Sequence, residues 1–319
     1  MGLEMALIQG EKSRAEAGEE IAILLAACNG ERYLAEQLDS LLDQSFTDWR
    51  LYVHDDGSKD GTNTILKAYA GKYPNRIRLI QAPPTGGAKD NFLFLLRTVD
   101  APYIMFCDQD DVWMREKIEK TYRRMRMIEG EGPALVFTDL QVVDRDRKLI
   151  APRMSRYQKL NLRKTRAEDF LAENVVTGCT VMINRKMAEL ARKAEDPSKI
   201  IMHDWWLALA AARFGSISCL EEALVQYRQH EVNSIGAKKL GKEYILERLT
   251  HGKEVRDAIQ ATRTQAGYMA DIFALGPEDV ITQYGRLSER SKAERLRFYA
   301  SRRICKSGLA RNIGLLLWG

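Results

Sequence analysis

Three carboxylates stand within four residues at Asp108-Gln109-Asp110-Asp111. Like charges that close repel, so a fold tolerates them mainly beside a cation or in full solvent. Hard divalent ions such as Mg²⁺ or Mn²⁺ take oxygen ligands, often one or two carboxylates plus substrate phosphates. Alternation along an extended chain turns Asp108 and Asp110 to the same side; one could grip the metal while the other reaches a sugar hydroxyl. Capping the helix that follows explains one of these acids, not three. A second pair, Asp55-Asp56, opens the run Asp55-Asp56-Gly57-Ser58, with Asp60 just beyond. A carboxylate there could accept the N3–H of uracil or thymine, a donor that a nucleotide pocket has to satisfy. Asp-Gly is equally a turn signal, and Asp60 a helix cap. Third, His203-Asp204-Trp205-Trp206 sets an acid beside two indoles. Apolar neighbours raise a carboxylate into the range of a general base, and either indole could stack on a sugar; capping is the plainer role for Asp204. In Tyr227-Arg228-Gln229-His230, Arg228 or His230 could meet a diphosphate or the metal, although a lone His is more often structural.

These residues need elements to hold them, and the pattern supplies an alternation. Ile21–Ala27 reads as a buried strand, followed by a helical spacing of Tyr33, Leu34, Leu38, Leu41 and Leu42. Leu51–Val53, Ile77–Ile80 and Tyr103–Cys107 are further strands. Helices from Asp60 to about Tyr69 and from about Lys89 to Val99 separate them. Such a sequence of elements implies an α/β fold with a mostly parallel sheet and helices on both faces. Ligands gather at the carboxyl ends of strands in these sheets, and both acidic clusters follow a strand directly. Beyond Trp113 the reading is a helix over Arg115–Glu129, a strand Ala134–Thr138, and a hairpin-like stretch Asp139–Ile150. A strand Thr180–Ile183, a helix opening at His203, and two short strands, Ser216–Leu220 and Ala223–Arg228, complete it. Past Gly236 only helices are expected. The division is a flexible lead-in over 1–19, a sheet domain over 20–236 (nucleotide half about 20–112, acceptor half about 113–236), and a basic helical region over 237–319.

Composition excludes the alternatives to a globular protein. The 319 residues are 45% hydrophobic and 29% charged, neither disordered nor fibrous in type. The net charge of +5 is too mild to imply nucleic acid, and no nucleic-acid partner is expected. It is unevenly placed: Arg286–Gly319 holds nine basic and two acidic residues, +7, leaving −2 for the rest. In that tail, Arg295, Arg297, Arg302, Arg303, Lys306 and Arg311 interleave with Leu296, Phe298, Ile304 and Leu309, a pattern suited to an anionic lipid surface or to packing with a solvated basic face. Five scattered cysteines without a C-x-x-C pair argue against a disulfide framework or a cysteine zinc site. Apolar runs reach about eight residues, short of the ~20 that span a bilayer. The expected location is cytoplasmic, at the inner face of the cell membrane.

Taken together, the motifs resemble the family 2 glycosyltransferases of GT-A fold, nearest their bacterial rhamnosyltransferase-like branch. The likeness rests on Ile21–Tyr33, Gln44-Ser45-Phe46, Asp55–Thr62, Asn91-Phe92, Phe106–Trp113, His203–Trp206, and Tyr227–His230 with Asn233. It runs in consistent order over about 20–235. Cys28 stands where the family usually has Tyr, and His203 where it usually has Glu. The resemblance implies Asp56 on the pyrimidine, with Ala26, Cys28, Asn29 and Asp55 in the base and ribose pocket. Asp108 would lie beside the ribose or metal, and Trp205 at the sugar. It further implies Asp110, with His230, on a divalent cation, and Asp204 as the base of an inverting transfer. The donor would be a nucleotide-diphosphate sugar, best matched by dTDP-L-rhamnose, and the acceptor a glycan or lipid-linked saccharide of the cell surface. A UDP-sugar transferase, a non-catalytic sugar-nucleotide binder and a sugar-nucleotide pyrophosphorylase are the rivals. The last usually carries a Gly-rich basic loop after the first strand, where this chain has the short acidic Cys28-Asn29-Gly30-Glu31.

Overall fold

The computed structural model describes residues 13–14, 21–230 and 252–319. One large sheet runs in the order β4 (Ile77–Leu79), β3 (Trp49–Asp55), β2 (Ile21–Ala27), β6 (Tyr103–Asp108), β10 (Met182–Asn184), β8 (Ala134–Val143), β11 (Ser216–Arg228), β7 (Val112–Trp113). The first four strands are parallel, as is β11 to β8; β10 is antiparallel to both its neighbours and β7 to β11. A short β9 (Leu149–Ala151) pairs antiparallel with the end of β8. Of the lead-in, Ser13–Arg14 is described and forms β1, parallel to β5 (Val99–Asp100).

The strands are apolar on both faces, as a doubly covered sheet requires. On β2, Ile21, Ile23, Leu25 and Ala27 face one core, shared with Leu34, Leu38 and Leu41 of α1 (Leu34–Leu42) and with Ile118 and Met125 of α4 (Lys117–Ile128). Ala22 and Leu24 face the other, with Phe92, Leu95 and Leu96 of α3 (Ala88–Thr98) and Trp206 of α8 (His203–Phe214). Helix α2 (Thr62–Lys72) starts two residues after Asp60, whose Oδ1 accepts the Thr62 N–H at 3.0 Å.

Several boundaries differ from the sequence reading. The residues before Met182 form a 3₁₀ turn, Gly178–Thr180, not a strand. The two strands expected at the end of the domain are one 13-residue β11, whose register shifts at Leu220/Ala223 and Ala223/Gln226. Exposed Glu221 and Glu222 read as a break, but a bulge lets them reach solvent while the ladder continues.

The expected domain edge at 236 lies outside the described residues. From Gly252 onward the chain is helical: α9 (Gly252–Ile272), α10 (Val280–Gly285), α11 (Lys292–Arg302) and α12 (Leu309–Trp318). Their buried residues, among them Val255, Ile259, Met269, Tyr284 and Phe298, belong to the same core as Ile104, Leu135 and Trp206. The region is thus packed into the sheet domain. One crossing in it is glycine on glycine, for a Cβ at Gly285 would lie 2.8 Å from Gly267 Cα and N. Two backbones cannot yield there. We expect Gly285→Ala to lower stability by about 1–3 kcal/mol. Gly267→Ala, whose Cβ would meet nothing closer than 4.0 Å, should be neutral or slightly stabilising. Denaturant midpoints of the two variants check the contrast.

Candidate active site

Strand register assembles the site. Ala26 pairs with Asp108 on one side of β2, and Ala27 with Asp55 on the other. Three carboxyl ends therefore lie abreast at the ~4.8 Å spacing of a sheet, and the two acidic clusters flank a shared edge. Gln109 ties that edge together. Its side-chain amide accepts the Cys28 N–H and donates to the Cys28 carbonyl, both at 2.8 Å. A Cβ on Gly30 would collide with the same amide.

Around the turn after β2, Asn29 adopts φ +49°, a conformation Asn tolerates. Its N–H donates to Ser58 Oγ and its Oδ1 accepts the Lys59 N–H, each at 2.8 Å. Asp55 accepts from the Ser58 hydroxyl and the Asn63 amide. Beside it lies a cavity of about 170 Å³ lined by Asp55, Gly57, Asn63, Gln81, Ala82 and Pro84, among others. Asp56 turns to the neighbouring loop, accepting from the Thr85 N–H and hydroxyl and from the N–H groups of Gly86 and Gly87. Burial pushes this carboxyl up, but those donors outweigh it and hold it below its ordinary value. Its lone pairs are thus already engaged by the 85–87 loop. Cys28 keeps its thiol proton, raised by burial and then by Asp56, Asp55 and Asp60.

The second cluster is more crowded. Asp108 is partly buried and pushed up to about 7, first by desolvation, then by the charges of Asp110 and Asp204. Asp111 is fully buried; its Oδ1 accepts the Arg228 N–H at 3.1 Å. Asp108, Asp111 and Cys179 bring ligand atoms within 4.8 Å of one another. This trio suits a hard cation poorly, because burial raises the Cys179 thiol far above its usual range and keeps it protonated.

Asp110 and His230, 120 residues apart, meet with Oδ2 and Nε2 at 2.7 Å, both partly exposed. The Asp110 carboxylate is an oxygen ligand of the kind Mg²⁺ or Mn²⁺ takes, and the His230 nitrogen is hydrogen-bonded to it. The pair is set by stacking: the Tyr33 ring lies 4.9 Å from His230, and the Arg228 guanidinium 4.5 Å from Tyr33. Arg228 is 2% exposed and donates to the carbonyls of Asp110 and Arg145 and to Glu36. It serves as a brace, while His230 faces Asp110. Asn233 lies outside the described residues.

Asp204 sits in the first turn of α8, buried, its carboxyl raised to about 7 by desolvation against hydrogen bonds from the Trp205 and Gly178 N–H groups and the Asn174 amide. His203 is packed between Phe92 and Phe106, and burial lowers it to about 3, so it is neutral. The Trp205 indole N–H donates to the Phe170 carbonyl at 2.6 Å, leaving only its ring face for a sugar. Asp204 and Asp110 both act on Asp108, so the acids read from distant motifs share one neighbourhood. Sequence reasoning assigned no role to Gln109, Asn174 or Gly178. Gly178 alone left a signal, a glycine among apolar residues; a Cβ there would run into His203.

Comparison with known proteins gives the family and the fold. Residues 22–190 match the model of the family described as Glycosyl transferase family 2. The dTDP-rhamnosyl transferase RfbG of Shigella flexneri is 30% identical over 224 residues, 67% of this chain and 74% of that protein. The putative teichuronic acid biosynthesis glycosyltransferase TuaG of Bacillus subtilis is 28% identical over 69% of this chain and 82% of its own. Among solved structures, S. aureus TarS in complex with UDP-GlcNAc superposes with a TM-score of 0.50 at 17% identity, covering 89% of this chain and 79% of that one. A mannosyltransferase from Pyrobaculum calidifontis gives 0.51 at 14% identity, over 94% and 86%. The chain belongs to glycosyl transferase family 2 and is a glycosyltransferase of GT-A fold.

Proposed function

We propose that the protein transfers a sugar, with inversion, from a nucleotide diphosphate to a hydroxyl of a cell-surface glycan or its lipid-linked precursor, Asp204 acting as base. The observation that carries this reading is the convergence of Asp204 and the Asp110–His230 pair on Asp108, at the strand edge shared with Asp55. Asp204 takes the acceptor hydroxyl proton, and the oxygen attacks the anomeric carbon. The bond from that carbon to the diphosphate breaks, its electron pair leaving with the nucleotide. Asp110 and His230 would hold a divalent cation, which supplies charge stabilisation for the departing diphosphate. The cavity beside Asp55, with Ala26, Cys28 and Asn29, would take the nucleoside. Asp56 would reach the pyrimidine only if the 85–87 loop released it. The name of the Shigella relative favours dTDP-L-rhamnose as donor; a UDP-sugar is the second reading, motivated by an E. coli relative named as a UDP-Glc-dependent glucosyltransferase, 23% identical over 70% of this chain.

Membrane attachment is part of the proposal. No helix among the described residues is long and apolar enough to cross a bilayer. On α12, however, Ile313, Leu316 and Leu317 stay exposed while Leu315 is buried. That stripe, with the basic tail, suits shallow insertion into anionic lipid.

The outcomes are specific. Asp204→Asn should abolish transfer while donor binding by calorimetry persists; retained turnover removes Asp204 from the role. Because the free enzyme holds this carboxyl at about 7, kcat/KM should rise with pH through that value as the base loses its proton. The same raised pKa costs stability that builds as pH rises from its ordinary ~4 to about 7 and is fully present above that, so Asp204→Asn should outlast the parent at pH 8 in a denaturant titration. Asp110→Ala should bind dTDP or UDP equally with Mn²⁺ or chelator, where the parent binds more tightly with Mn²⁺. Changing Ile313, Leu316 and Leu317 together to Ser should reduce co-sedimentation with anionic liposomes; identical partitioning sinks the lipid contact.

A further inference from the structure

A cluster outside the cleft connects the C-terminal region to the base. Glu173 is 7% exposed, and its Oε2 accepts from Lys164 Nζ at 3.0 Å and from the Ser307 N–H and hydroxyl at 2.7 and 2.6 Å. Arg311 faces its Oε1 at 3.5 Å. Lys164, 6% exposed, also donates to the Cys305 carbonyl, and the Asn161 N–H donates to Ser307 Oγ. Burial pushes the Glu173 carboxyl up, but Lys164 and the Ser307 donors outweigh it, so it stays ionised. Charge-assisted bonds out of water are directional and strong, unlike a surface ion pair.

The next residue, Asn174, works on the other side. Its side chain braces the loop by exchanging hydrogen bonds with Val176 at 2.9 and 3.0 Å. The loop ends on Gly178, which lies against α8, since a Cβ there would be 2.6 Å from His203 Nε2 and 3.7 Å from Asp204 Oδ2; the Gly178 N–H and the Asn174 amide both favour the ionised Asp204 carboxyl. Asp204 otherwise feels Asp108 from β6 and has neutral His203 beside it on α8. We infer that Glu173 is a positioning residue for Asp204: the clamp of Ser307 and Lys164 fixes the 173–178 loop, and through it Asn174 and Gly178 hold the carboxylate. The meaning of that aim rests on Asp204 being the base; the mechanical link does not. The C-terminal segment that closes the clamp is then part of the transferase machinery.

Ser307→Ala in the full chain is the deciding variant, since Glu173→Gln would strand the Lys164 ammonium and can fail to fold. Hydrogen exchange should quicken about tenfold or more in the 173–178 amides and stay unchanged in β2 and β3. With Mn²⁺ and dTDP-L-rhamnose as probe, kcat for dTDP release should fall about tenfold with donor KM within twofold, in line with the sensitivity of catalysis to small displacements. Ser307→Thr should restore both. Asn174→Ala should reproduce the loss, and the double variant should be no worse than Asn174→Ala alone. Unchanged exchange at 173–178, or losses that multiply in the double variant, overturn the inference. Full turnover by Asp204→Asn, or no dTDP release by the parent, would fault the functional reading instead, with the exchange experiment still deciding the clamp.

Discussion

Carboxylates crowded at the end of one sheet set the terms for the rest of this structure. Asp108 and Asp111 present oxygens within 4.8 Å, and two full charges at that distance repel by about 3 kcal/mol at an effective dielectric near 20. Full ionisation of the whole cluster without a counter-charge is therefore unfavourable. Asp108 and Asp204 rise to about 7, and Asp111 rises as well. Asp56, which has four donors from one loop, goes the other way. The two groups of acids differ because four donors outweigh burial at Asp56, whereas desolvation outweighs the hydrogen bonds at Asp108, Asp111 and Asp204.

Holding such a cluster open requires a rigid surround. Arg228, Tyr33 and His230 form a stacked rack, with the guanidinium committed to two carbonyls and Glu36. Gln44 works beneath it, accepting the Ile118 N–H and donating to the Met114 carbonyl, so the chain leaving the acidic run is anchored to α1. Buried Lys117, 4.3 Å from the Trp113 ring, supplies positive charge below Asp111; desolvation lowers it to about 8. Arg228, read from the sequence as a group that could meet a diphosphate or metal, holds backbone carbonyls and Glu36.

The helices after Gly252 change the picture of the molecule's plan. They complete the hydrophobic core on one face of the sheet, and their last loop bonds Glu173 in the segment that leads to Gly178 and Asp204. The exposed stripe on α12 coexists with this packing, because Leu315 and Gly314 face inward while Ile313, Leu316 and Leu317 do not. Packing on the domain and contact with lipid are compatible roles for one short helix.

Short unbroken apolar runs, helical spacing and turn chemistry were enough to place β2, β3, β6 and the helices between them, since all are local properties. The acids at strand ends were legible for the same reason: a strand that stops at Asp55 or Asp108 delivers its last side chain to the sheet edge. Contacts between residues far apart in the chain were not. Asp110 meets His230 across 120 residues, Glu173 meets Ser307 across 134, and Gln109 pairs with Cys28 across 81. Of these only Asp110 with His230 was expected, and not from anything local, for each residue alone is an ordinary polar side chain. Only the packed sheet, by bringing the ends of β2, β6 and β11 together, decided which acids were given donors, which were left crowded, and which were buried.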